Sequence, residues 1–397
     1  MAAGLAIAGA AVALLVAGTS CTSDTSEPPA MMMGNANARE LVLASVAENV
    51  ILPTYQEFLS AALALEEATA AQVTDPSQLS VSQEAWASTI AVWQRAELFQ
   101  VGPAGAMDGV AGGEDIRDDI YSWPLTNRCR IDQEIADEGY SDMTMLRETA
   151  VNVRGLDTLE YLLFVASNEN NCAPNSRINR DGTWAALDEA ALASRRAAYG
   201  AALATLVREK AEELVNAWDP AQGNFVGSLS NPTSGTVYAS PQEALNALSD
   251  ALFYIESETK DMKLAEPAGI TNCEEATCPD ARESRFANRS REHVLENLRS
   301  FQRAYFGAEP GTDAYGFDDL LREIGAEEVA TAMETALEGA ISTAEQMSSS
   351  FAEVLGSDVS QLIALHDAVK GITDVLKTQF IGVLDLELPK RVEGDND

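Results

Sequence analysis

Histidine is almost absent from this sequence: His293 and His366 are the only two in 397 residues. That scarcity works against zinc sites, which draw on neutral imidazole, and leaves few bases for a serine nucleophile. No Gly-x-Ser-x-Gly turn accompanies them. Neither a Gly-x-Gly-x-x-Gly loop nor a Walker loop occurs, so nucleotide binding is not expected. Basic residues are also scarce: 26 Lys and Arg face 62 Asp and Glu, a formal net charge of −36. A phosphate backbone would repel such a chain, so nucleic acid is not expected as a partner. The acidity reads instead as a solubilising exposed surface. Alternating apolar runs of strand type are missing beyond a few residues, and β-branched runs are few. After the first 21 residues, no apolar stretch approaches the roughly 20 residues that span a bilayer.

What is present favours helix. Hydrophobic residues make up 46% of the chain and aromatics 6%. Alanine and leucine dominate, so the expected fold class is all-α. The length is large for one compact core and predicts two domains.

The opening run MAAGLAIAGAAVALLVAGTSC is apolar and ends in small residues and Cys21. No Lys or Arg precedes it, and Gly-Thr-Ser stands before the cysteine where Leu-Ala-Gly is usual. The pattern predicts an export segment over residues 1–21, with Cys21 as the lipid acceptor. A polar, Pro-containing stretch, 22–35, reads as a flexible tether. Four cysteines remain: Cys129, Cys172, Cys273 and Cys278. An even number in an oxidising compartment suggests disulfides. Cys273 and Cys278 are close enough in sequence to close a small loop, which leaves Cys129 with Cys172. A cysteine metal cluster is the rival, against a spacing unlike that of zinc sites.

From about Ala36 the chain is a series of long helical patterns. Pro53 predicts a kink or break in the first, and TDPSQLS ends it. Gly102-Pro103 stops the second. A later helix is expected from Trp184 to Trp218. The Gly-, Ser-, Asn- and Pro-rich loop DPAQGNFVGSLSNPTSGTVYAS separates two halves, 36–235 and 236–397. The halves echo one another. Ser82–Phe99 and Ser290–Gly307 share Ser, Glu and Gln-Arg-Ala at one offset, with apolar positions in helical phase. This supports a duplication: two tandem four-helix-type bundles with a crevice between them, where ligand sites tend to lie.

The sharpest local question is posed by VRGLDTLEYLLF, Val153 to Phe164. It reads as a buried helix, with Leu156, Leu159, Leu162 and Leu163 in the core. Yet Asp157 and Glu160 stand three apart, on one face. Two uncompensated carboxylates this close would raise one pKa. Three readings are open. They form a satisfied polar network, with Asp157 on Arg154, Arg147 or an amide and Glu160 on an arginine of the other bundle. They bind a cation. Or they are a catalytic pair.

The chain resembles the imelysin-like family of bacterial exported proteins. The resemblance rests on YSWPL (Tyr121–Leu125) followed by Ile131-Asp132, on GLDTLEYLLF, on ESRFANRS followed by ENLRSFQRAYFG, and on the terminal EGDND. It implies a two-bundle helical protein in the periplasm or on the outer membrane, associated with iron uptake. An outer-membrane uptake partner goes with it, and one founding member was described as a peptidase. The family's Gly-x-His-x-x-Glu motif reads here Gly155-Leu156-Asp157-Thr158-Leu159-Glu160, with aspartate replacing the histidine. That exchange disfavours zinc peptidase chemistry. An all-oxygen pair, Asp157 and Glu160, suits iron, calcium or manganese better. By the resemblance, Gly155, Trp123, Glu283 and Ser284 are the further ligand-binding candidates. On the residues alone, Trp123-Pro124 would plug a bundle end. His293 is expected on a helix, exposed or packed. His366 falls near the place where a duplication would put the counterpart of Asp157.

Overall fold

The computed structural model describes residues 30–392, with side-chain placements from 38 onward except at 391. Export segment, Cys21 and the terminal EGDND therefore lie outside the described residues. Among those described, the fold is all-α: no strand forms, and the one β-type contact is an isolated bridge between Ser234 and Thr236. No described helix is long and apolar enough to cross a membrane.

Helix α1 (Ala30–Ser45) begins inside the segment read as tether. It passes through a π-helical stretch, Val46–Ile51, into α2 (Leu52–Thr74). The expected break at Pro53 does not occur. Proline lacks an N–H and crowds the carbonyl four residues back. Here it follows directly on the π-helical stretch, whose wider ladder suits a residue that cannot make the ordinary bond. Asp75 ends α2, its side chain accepting from the Ser77 amide at 3.1 Å. The short Pro76–Gln78 turn then makes α3 (Leu79–Ala96) the neighbour of α2. Helix α4 (Gly155–Phe164) carries the paired carboxylates. Helix α5 (Glu189–Trp218) starts five residues later than expected, where Asp188 caps the Ala191 amide at 2.8 Å.

Helices α2, α3, α4 and α5 form a ring in which α2 and α4 each pack on both α3 and α5. A second ring has the same neighbour pattern. It consists of a π-helical segment, Ile255–Ala265, with α7 (Ser290–Phe306), α8 (Glu327–Gln346) and α9 (Ser360–Val375). Helix α6 (Pro241–Leu252) leads into that segment. Helix α1 belongs to the first half by sequence, yet packs on α6 and on the short helix Phe317–Glu323.

The two echoing helices, α3 and α7, pack against each other where the rings meet. Polar groups fix the contact: Arg95 pairs with Glu296 at 2.9 Å, and the Asn297 side-chain amide donates to the Gln94 carbonyl at 2.7 Å. Around it the core is aromatic and continuous. Phe58 lies on Trp93, with ring centroids 4.9 Å apart, and Trp218 bridges Tyr55 and Phe225 at 5.6 and 4.9 Å. Each such ring or leucine side chain, once fully buried, contributes about 1.5–3 kcal/mol. Two disulfides are present, Cys129–Cys172 and Cys273–Cys278. The second closes a small loop just ahead of Glu283 and Ser284.

Candidate functional site

The start of α4 sets the geometry. Gly155 sits at φ +89°, and a Cβ there would meet the Ile120 carbonyl oxygen at 2.7 Å. Only glycine fits both conditions. Trp86 of α3 clamps this end by donating its indole N–H to the Leu156 carbonyl at 2.8 Å. The four leucines of α4 then enter the core, and Asp157 and Glu160 share the remaining face, each only 5% exposed.

Among the described residues, neither carboxylate is paired with an arginine. Arg154 is bound to Asp119 at 2.5 Å and Arg147 to Glu209 at 2.7 Å. Asp157 instead accepts hydroxyl bonds on Oδ2, from Ser122 at 2.9 Å and Thr126 at 2.5 Å. Glu160 reaches the other half. Its Oε1 accepts from the Phe286 and Ala287 amides, both at 2.8 Å, and from the Ser284 hydroxyl at 3.3 Å. Ser284 is held at φ +49°, unusual for a residue with a side chain. Among the described residues, no hydrogen bond reaches Oε2 of Glu160.

Burial raises the pKa of both groups. For Asp157 the hydroxyl bonds oppose the rise without cancelling it. Glu160 is pushed up to about 7, chiefly by loss of water, with the Glu283 carboxylate adding to it; the Ala287 and Phe286 amides and His293 pull the other way. The two carboxylates line a cavity of about 200 Å³, together with Trp123, Thr126, Ser284 and three arginines.

Behind the cavity lies a sealed polar cluster. Glu283 is fully buried and is not part of the cavity wall. It accepts from the Tyr121 hydroxyl at 2.7 Å and pairs with the Lys263 ammonium at 3.1 Å; His293 Nδ1 lies 3.0 Å away. Lys263 also donates to Gln94 Oε1 at 2.6 Å and Asn297 Oδ1 at 2.9 Å. Burial alone would raise the Glu283 pKa. Lys263 and His293 outweigh it and hold the group below the usual carboxylate range.

The sequence profile of the imelysin family matches residues 51–379. The chain belongs to the imelysin family. Two solved structures share its fold. One is an iron-regulated protein A precursor from Parabacteroides distasonis, at TM-score 0.67 and 19% identity, covering 91% of this chain and 96% of its own. The other is an imelysin-like protein from Psychrobacter arcticum, at TM-score 0.67 and 18% identity, covering 89% and 97%. No curated protein sequence matches the chain.

Within this imelysin fold the sequence-derived candidates separate. Asp157, Glu160, Ser284 and Trp123 meet at one cavity. The Trp123 ring lies 5.9 Å from the Lys263 ammonium and forms one wall. Gly155 shapes the helix start without lining the cavity. His366 is buried in α9, its Nδ1 3.0 Å from Asp367, and does not line the cavity. Sequence reasoning missed the cluster of Lys263, Tyr121, Gln94, Asn297 and His293. Two signals pointed there: Gln94 opens the repeated Gln-Arg-Ala, and Lys263 is one of few lysines in an acidic chain.

As metal donors, these residues supply oxygen only, which suits a hard cation. Among the described residues, no three His, Cys, Asp or Glu side chains are grouped so as to hold a metal ion. The acidic oxygens at the cavity are those of Glu160, Asp157 and Asp280, the last already paired with Arg285. A cation held there would bring most of its other ligands with it.

Proposed function

We propose that this protein is an exported, lipid-anchored binding protein of the periplasm or outer membrane. It holds a metal ion, or a small metal-carrying ligand, in the cavity between its two halves and serves iron uptake with an outer-membrane partner. One observation carries the reading: Glu160 is about as buried as a core residue and lines a cavity, and among the described residues no hydrogen bond reaches its Oε2. Buried carboxylates are ordinarily satisfied in full, because an unspent one costs stability. The description of the Parabacteroides neighbour as an iron-regulated protein precursor supports iron and export.

The test is a thermal-melt series on metal-stripped protein with ferric, ferrous, calcium, manganese, zinc and copper ions. A ligand that binds only the folded state raises the melting temperature. A rise of several degrees is expected for a hard cation, absent in Asp157→Ala/Glu160→Ala. If no ion shifts wild type and the double variant is itself strongly destabilised, the pair is purely structural and the protein is a partner-docking surface protein instead.

A second reading, a metallopeptidase, is favoured by the family profile, which carries a peptidase designation. It requires chelator-sensitive cleavage of an unfolded substrate, lost in Glu160→Gln. The aspartate in place of the motif histidine argues against it.

A further inference from the structure

Most arginines of this acidic chain are neutralised by a carboxylate, as Arg95, Arg117, Arg208 and Arg322 are. Two that line the Asp157–Glu160 cavity are not. Arg128 is half-buried and makes no ion pair or hydrogen bond among the described residues. Arg282 donates only to carbonyl oxygens, of Pro279 at 3.0 Å and Arg285 at 3.3 Å, and its buried Nε has no partner. Arg285, the third arginine of the wall, pairs with Asp280 at 2.7 Å, a carboxylate that is itself largely exposed. Burial and the adjacent Arg285 guanidinium push the Arg282 pKa down, and the Asp280 and Glu160 carboxylates offset this only in part.

The cavity therefore has two chemistries at one mouth. Its floor offers carboxylate oxygen, and its rim offers two guanidinium groups, of Arg128 and Arg282, that no carboxylate contacts among the described residues. With Asp280 counted, three acids face three arginines, in a chain whose net charge is −36. A bare cation would leave the arginines unused and would be repelled by them. A simple anion would meet the unspent oxygen of Glu160. A ligand carrying both kinds of charge satisfies both sets.

On the metal-binding reading proposed above, we infer that the natural cargo is a small carboxylate chelate of a hard cation. The carboxylates of the chelator lie on Arg128 and Arg282, and the cation side faces Glu160 and Asp157. Guanidinium matches carboxylate as a planar, two-pronged donor. The chelator also supplies the coordination that the chain lacks, since no three ligating side chains are grouped here. Size points the same way. A cavity of about 200 Å³ is below the roughly 300–1,000 Å³ of pockets for drug-sized ligands. A compact tricarboxylate is of that order of size.

The test is calorimetric titration of the purified, metal-stripped full-length protein with three probes: ferric citrate, citrate alone, and manganese ion alone. Wild type, Arg128→Gln/Arg282→Gln, Arg128→Gln and Arg128→Lys are compared, each with a ligand-free melting curve as folding control. Ferric citrate is expected to bind wild type, to bind the double glutamine variant about tenfold or more weakly, and to bind Arg128→Lys with an affinity between the two, since lysine keeps the charge and loses the two-pronged fork. Should the double variant misfold, Arg128→Gln alone carries the comparison, because that side chain has no partner to lose. Citrate alone binding as tightly as ferric citrate would overturn the inference, as would ferric citrate binding unchanged in the glutamine variants. Manganese binding with no response to ferric citrate would overturn the chelate and leave the metal site standing. No response to any probe would remove the metal-binding reading itself.

Discussion

Glu160 is held by two opposed effects. Loss of water drives its pKa up, to about 7, while two backbone amides and His293 draw it down. The group therefore binds a proton more tightly folded than unfolded, where its ordinary value is 4.5. The sign follows by linkage: its contribution to stability is complete below about pH 4.5 and is lost as pH rises through about 7. Glu283 works oppositely, its favourable contribution being lost only as pH falls below the ordinary carboxylate range. In chelator-treated protein, Glu160→Gln is expected to keep the amide bonds and to remove a fall in unfolding free energy of up to about 3 kcal/mol between pH 4.5 and 7. Urea unfolding at a series of pH values checks it. Wild type and variant showing parallel pH profiles would contradict the buried, uncompensated carboxylate.

Between elements, the contact that matters most is α3 on α7 and on the π-helical segment Ile255–Ala265. Lys263, on that segment, ties Gln94 of α3, Asn297 of α7 and Glu283 together with no exposure to water. Removing one partner of a buried ion pair strands the other charge, and such losses typically cost about 3–5 kcal/mol. Lys263→Met is therefore expected to lower stability by that amount, read by chemical denaturation. Lys263→Met/Glu283→Gln should recover part of it, since the stranded carboxylate is gone. A single variant that costs less than about 1 kcal/mol would mean that water reaches the cluster. The echo between α3 and α7 was legible as sequence, because both helices keep their apolar positions in the same helical phase. Their packing against each other was not, because periodicity records which face is buried and not what covers it. The same limit hid the role of Lys263, which on its own helix is one charged residue among several.

For the whole molecule, charge is the dominant long-range term. With 62 acidic and 26 basic residues, most carboxylates have no counter-charge, and their repulsion opposes the compact state. Added salt shortens the Debye length from about 30 Å at 0.01 M to about 8 Å at 0.15 M. The melting temperature is expected to rise over that range, more than the surface ion pairs lose by screening. A calorimetric series in sodium chloride checks it, and a flat or falling midpoint would show that paired charges dominate. Composition and period alone determined the all-helical class, the acidic character and the position of the carboxylate pair on one face of α4. Each of these depends only on neighbours within a turn or two of the chain. The tertiary structure alone decided what the carboxylates touch. Asp157 finds hydroxyls of the segment around Ser122 and Thr126, Glu160 finds amides of a loop more than a hundred residues away, and Arg128 and Arg282 come to share their cavity. Those partners are set by how the two rings of helices close on each other, and no local pattern carries that information.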